Sequence, residues 1–170
     1  MKEEITKEID ESIETKKKLK LQTSLILEIA ENVADSIKNG GKTIFFGNGG
    51  SAADSQHIVA EFIGKFHEKR RPFPAIALTT NTSTLTAIGN DFGFEEIFVR
   101  QIQAICSEKD IVFGISTSGN SKNIIHAINE ANKKGALTVA LTGEDGGILA
   151  KTAKKVIKVP SNNTQRIQEA

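Results

Sequence analysis

His57 and Glu61 stand four residues apart in a stretch with helical patterning, so they share one face of a helix. A carboxylate beside a sugar phosphate can remove the proton α to a carbonyl. His and Glu at that spacing are also a two-ligand start for zinc, although the same pair on a helix surface is commonly of no consequence. What sets this pair apart is the stretch one turn before it: Gly47, Asn48, Gly49 and Gly50. Three glycines in four positions mark a tight turn where something approaches the backbone. The short apolar run over residues 43–46 reads as a buried strand, and a helical pattern begins at Ser51 as its N-cap. Strand, glycine turn and helix start together aim free N–H groups at one point, which suits an anion such as a phosphate.

A second turn has the same character. Ser116, Thr117, Ser118 and Ser121 place four hydroxyls between a strand and a helix start. One hydroxyl would serve as a cap, whereas the cluster suits the acceptor oxygens of a phosphate monoester. Ser51 supplies a further ligand from the opposite side. Nucleotides are discounted. Gly47, Gly49 and Ala52 meet the loose dinucleotide fingerprint, but the next strand runs into Leu78, Thr79, Thr80 and Asn81 with no carboxylate for a ribose. The P-loop pattern does not occur.

The elements that must position these groups follow from periodicity. Residues 2–18 form a charged helix with one narrow stripe, Ile5, Ile9 and Ile13. Either that helix rests on its own domain, or it buries the stripe against a partner subunit. A second helix spans 21–38 and ends at Gly40 and Gly41. After the site helix, Pro72 and Pro74 punctuate the chain. Strands are expected at 75–78, 111–115, 137–141 and 156–159, and helices at 95–105, 122–134 and 148–152. Residues 79–86 are a loop or helix start, and 89–93 a turn-rich segment. The alternation predicts an α/β domain with a parallel sheet and helices on both faces. No linker or repeat interrupts it, so residues 1–170 read as one domain.

Composition narrows the partners. A formal net charge of +1 gives no global field for nucleic acid or membrane. Cys106 is the one cysteine, so no disulfide forms within the chain. There is no apolar leader and no stretch fit to span a membrane, so the expected location is cytoplasmic.

The motifs, in order, resemble those of sugar isomerase (SIS) domains. They are the glycine turn with Ser51, Gln56, His57 and Glu61; Gly89 to Phe94; Gly114 to Ser121; Leu141 to Gly147; and Arg166, Ile167, Gln168 and Glu169. Within that group they are most similar to the sedoheptulose-7-phosphate isomerases, over nearly the whole chain. The resemblance implies a three-layer flavodoxin-like fold and a homotetramer with active sites at subunit interfaces, residues 1–39 contributing to the assembly. It implies isomerisation of D-sedoheptulose 7-phosphate to D-glycero-D-manno-heptose 7-phosphate, for lipopolysaccharide or other surface glycans. Ser51, Ser116, Thr117, Ser118 and Ser121 would hold the phosphate. Asn48, Gly49, Gly50, Asn90 and Asp91 would line the sugar, with Gln168 beside them. Glu61 would be the base, and His57, Glu61 and Gln168 match the zinc ligands of some members, one ion per subunit.

The family pattern continues past Arg-Ile-Gln-Glu into a helix whose His is a second acid/base and zinc ligand. This sequence stops at Ala170, before that His, and the expectation is a chain cut short. Two other readings stay open: a non-catalytic SIS-fold tetramer that binds a replication initiator-type partner, and an isomerase of another sugar phosphate. Glu61 and Gly50 favour an enzyme over the first of these.

Overall fold

The computed structural model describes all 170 residues. Its centre is set by the apolar strands. β1 (Thr43–Gly47) and β3 (Ile111–Ser116) are buried along their whole length and pair in parallel, Gly47 opposite Ile115. β2 (Ala75–Ala77) adds to the outer side of β1, and β4 (Leu137–Thr142) and β5 (Lys155–Lys158) extend the sheet beyond β3. The order is β2-β1-β3-β4-β5, all parallel. Parallel strands need crossovers, and helices supply them on both faces.

Successive side chains of β1 serve opposite cores, as the two-residue strand period requires. Ile44 and Phe46 join Val112 and Ala140 on one face. There they meet Ile102 of α5 (Val99–Ile105), Ile124 and Ile128 of α6 (Lys122–Lys133), and Leu149 of the short α7 (Leu149–Thr152). Phe45 faces the other way with Ile111, Phe113 and Val139, against Ile29 of α2 (Thr23–Lys38) and Ile58 and Phe62 of α3 (Gly50–Ile63). Phe45 stacks on Phe113 with centroids 4.6 Å apart.

α1 (Lys2–Leu19) buries only Thr15, and Ile5, Ile9 and Ile13 stay exposed, Ile5 by 58%. The stripe therefore does not rest on its own domain. The C-terminal helix α8 (Thr164–Glu169) is tied to α1 by Arg166, whose Nη1 donates to the Glu8 carbonyl and lies 3.7 Å from Glu8 Oε2.

Three sequence expectations need correction. Residues 89–93 are not a turn. Gly89, Asn90, Asp91 and Phe92 form the last turn of α4 (Thr82–Phe92), which Asn81 caps by accepting from Thr84 N–H. The expected helix at 95–105 is a 3-10 turn, Phe94–Glu96, followed by α5. Ser51 is not the N-cap of α3. Gly49 takes that place, and Ser51 lies inside the first turn.

Candidate active site

In a doubly wound sheet, ligands gather beyond the carboxyl ends of the strands where the winding reverses. Here that point lies between β1 and β3. The chain leaving β1 runs into α3 on one face, and the chain leaving β3 runs into α6 on the other. Both turns named from the sequence therefore open onto one crevice.

The first turn depends on Gly49, whose φ of 55° and ψ of −121° are open only to glycine. Its carbonyl accepts from Ala52 and Ala53, and the N–H groups of Gly50 and Ser51 find no acceptor in the chain. In the second turn Ser116 and Ser121 share a hydrogen bond at 3.0 Å, and Ser118 Oγ accepts from Asn120 N–H at 3.2 Å. The N–H groups of Ser121, Lys122 and Asn123 have no acceptor in the chain. Two helix N-termini, each with unfilled donors, thus face one place, an arrangement that attracts an anion. Asn48 and Asn123 join the turns through a reciprocal pair of amide hydrogen bonds, 3.0 and 2.9 Å.

α8 closes one side of the crevice. Ser51, 4% exposed, donates to Gln168 Oε1 at 3.3 Å, and Gln168 Nε2 donates to Asp54. A Cβ added at Gly50 would lie 3.1 Å from the Gln168 amide, so glycine lets the two helices meet here. Ser51, Asp54, His57, Thr117 and Gln168 line one cavity of about 490 Å³, otherwise walled mainly by aliphatic side chains.

Of the sequence candidates Ser51, His57, Thr117 and Gln168 line this cavity; Ser118 lines a separate polar hollow with Asn120 and Glu144, and Asn48, Gly49, Gly50, Ser116 and Ser121 line neither. Glu61 lies one turn beyond His57 and is the less exposed of the two, 38% against 77%, with His57 Nε2 and Glu61 Oε1 3.7 Å apart. Asn90 and Asp91 are exposed at the end of α4, where Asn90 donates to Asp91 at 2.8 Å. The His57–Glu61 separation is close to the about 3.4 Å expected for two donors on one tetrahedral zinc. The pair fits as part of a zinc site; no third His, Cys, Asp or Glu of this chain joins it.

Sequence reading passed over three residues that stand in or beside the site. Asn123 and Asp54 are two. Their signals were a polar side chain on the apolar side of α6, and a carboxylate three residues before His57 on the same helix face. The third is Arg70, which donates to the carbonyls of Glu61 (2.7 Å) and Phe62 (3.0 Å) and so caps the end of α3 that carries Glu61.

Residues 7–143 match the SIS domain family. The chain is 51% identical over 170 residues to the phosphoheptose isomerase of Aquifex aeolicus, covering 99% of this chain and 89% of that one. It belongs to the SIS domain family, among the phosphoheptose isomerases. The probable phosphoheptose isomerase of Thermoplasma acidophilum is 49% identical over 152 residues, covering 89% of this chain and 84% of that one. The solved structure of the phosphoheptose isomerase from Neisseria gonorrhoeae superposes with a TM-score of 0.92 at 42% identity, covering 99% of this chain and 90% of that one. That from Francisella tularensis gives 0.94 at 37% identity, covering 98% and 90%. The fold expected of an SIS phosphoheptose isomerase, a five-stranded parallel sheet between helical layers, is thus the fold of this chain.

Proposed function

We propose that this chain converts D-sedoheptulose 7-phosphate to D-glycero-D-manno-heptose 7-phosphate through an enediol. The observation that carries this reading is the crevice between β1 and β3, where two amide-rich helix starts face one point beside His57 and Glu61. The phosphate sits on the free N–H groups and on the hydroxyls of Thr117, Ser118 and Ser121, with Ser116 and Ser51 behind them. Asn48, Gly49 and Gly50 border the sugar. Glu61 takes the proton from C1, the C1–C2 enediol forms, and the proton returns to C2. The hydroxyl proton on O1 leaves as O2 gains one, so the ketone at C2 becomes the aldehyde at C1 with no net change in atoms or electrons.

Asn90 and Asp91 are exposed at the end of α4, away from the two turns, and a second subunit is the means of bringing the two sets together. The bare isoleucine stripe of α1 supports that assembly, which we take to be a homotetramer with residues 1–39 in its interfaces. His57 and Glu61 would hold zinc with Gln168 or a neighbouring subunit completing the set; bound there, the ion would polarise the substrate carbonyl. No helix is long and apolar enough to cross a membrane, and a cytoplasmic setting, where sugar phosphates are made and used, is the expected location.

The test is incubation with sedoheptulose 7-phosphate, with and without a chelator, following the aldose by NMR. Formation of the heptose phosphate is expected, slower after chelation. No aldose from folded, assembled protein under either condition would reject the reading.

A further inference from the structure

Asn123 is 3% exposed and sits in the first turn of α6, flanked by the core residues Ile124, Ile125 and Ile128. A buried primary amide is costly unless its donors and acceptor are matched. Asn123 Oδ1 accepts from Ile124 N–H at 3.0 Å, which serves the helix start alone. Its remaining bonds, to and from Asn48, do something else: they cross 75 residues of sequence to the other turn. The β1–β3 ladder ends at Gly47 and Ile115. Past that point these two are the only hydrogen bonds between residues 48–51 and 117–123. The chain on either side departs to opposite faces of the sheet, so little else holds the turns at a fixed spacing.

We infer that Asn123 is a positioning residue: through Asn48 it braces the two turns so that both sets of N–H groups address one phosphate. The inference rests on the phosphate site proposed above. Amide chemistry suits the task. A carboxylate at 123 would also cap α6 and accept from Asn48, but it would bring a negative charge beside the anion. An aliphatic side chain would match the apolar face of α6 and leave Asn48 unpaired. The neutral amide donates and accepts at once, so it locks both turns without altering the field of the helix ends.

The experiment measures the dissociation constant of inorganic phosphate by calorimetry for wild type, Asn48→Ala, Asn123→Ala and the double variant, with thermal melts alongside. Each single change is expected to weaken phosphate about tenfold, and the double change about tenfold as well rather than a hundredfold, because one brace is broken in all three. Asn48→Ala leaves the Ile124 cap in place, so it reads the brace even if Asn123→Ala folds poorly. Lowered melting with unchanged phosphate affinity would reduce Asn123 to a structural cap and overturn the inference, as would losses that multiply. Coupled losses in a protein that fails to isomerise sedoheptulose 7-phosphate would support the brace while rejecting the isomerase reading.

Discussion

Ser51 Oγ donates to Gln168 Oε1 at 3.3 Å, a bond between the first turn of α3 and a helix 117 residues later in the chain. The contact exists because Gly50 has no side chain. Its virtual Cβ would come within 3.1 Å of both Cδ and Oε1 of Gln168. The group it meets is the end of a flexible side chain, so Gly50→Ala should fold, with Gln168 turned away from Ser51. The expected result is a melting temperature close to wild type and kcat/KM lower by about tenfold, from a group displaced by a few tenths of an ångström. Unchanged kcat/KM would remove the Gly50–Gln168 contact from the working site.

Ser118 is exposed in the second turn, within reach of a phosphate that does not itself react. Binding made equally in ground and transition states appears in KM alone. Ser118→Ala should therefore raise KM by about fivefold, the worth of about one hydrogen bond, while kcat changes little. A fall in kcat without a rise in KM would place Ser118 nearer the reacting carbons than the phosphate.

Asp110 lies at the start of β3, its side chain 1% exposed, with Lys42 Nζ 2.7 Å from Oδ2. Burial by itself would raise its pKa. The hydrogen bonds from the Lys42 ammonium and from the N–H groups of Ser107 and Lys42 outweigh burial and hold it below the usual carboxylate value. A depressed folded pKa gives stability that is present above the unfolded value of about 3.9 and lost as pH falls through the folded value. Asp110→Asn should cost about 1–3 kcal/mol near pH 7. The gap from wild type should close as the pH drops below that of a free Asp. Denaturant titrations at several pH values check this, and a gap that widens in acid would show the sign to be wrong.

The exposed stripe of α1 predicts an assembly that a single charge can weaken. Light scattering of the wild-type chain should give a tetramer. Ile9→Asp should shift it towards smaller species with the helical signal retained, since Ile9 touches none of the core. A wild-type monomer at micromolar concentration would contradict the assembly.

Much of this fold was legible because the strands are uniform apolar runs. Residues 43–46 and 111–115 could be placed within a residue of β1 and β3, and the turns that follow them were marked by their glycines and hydroxyls. Helix caps were less legible. Ser51 has the chemistry of an N-cap, yet the conformation demanded at the turn made Gly49 the cap and freed Ser51 to meet Gln168. Residues 89–93 have turn composition, but Gly89, Asn90 and Asp91 are carried as helix once Asn81 has started α4. Asn123 was hidden because its role lies in a partner 75 residues away. No local pattern reports such a pairing.

The most direct test of the account is the turnover of Glu61→Gln. Gln keeps the size and hydrogen bonding of Glu61 and removes only the base, which contributes about 10²–10⁴-fold. With sedoheptulose 7-phosphate as substrate, the expected result is turnover lower by at least about a hundredfold, with the substrate's dissociation constant little changed and the assembly intact. Turnover equal to wild type would take Glu61 out of the reaction and leave His57 as the residue to examine next.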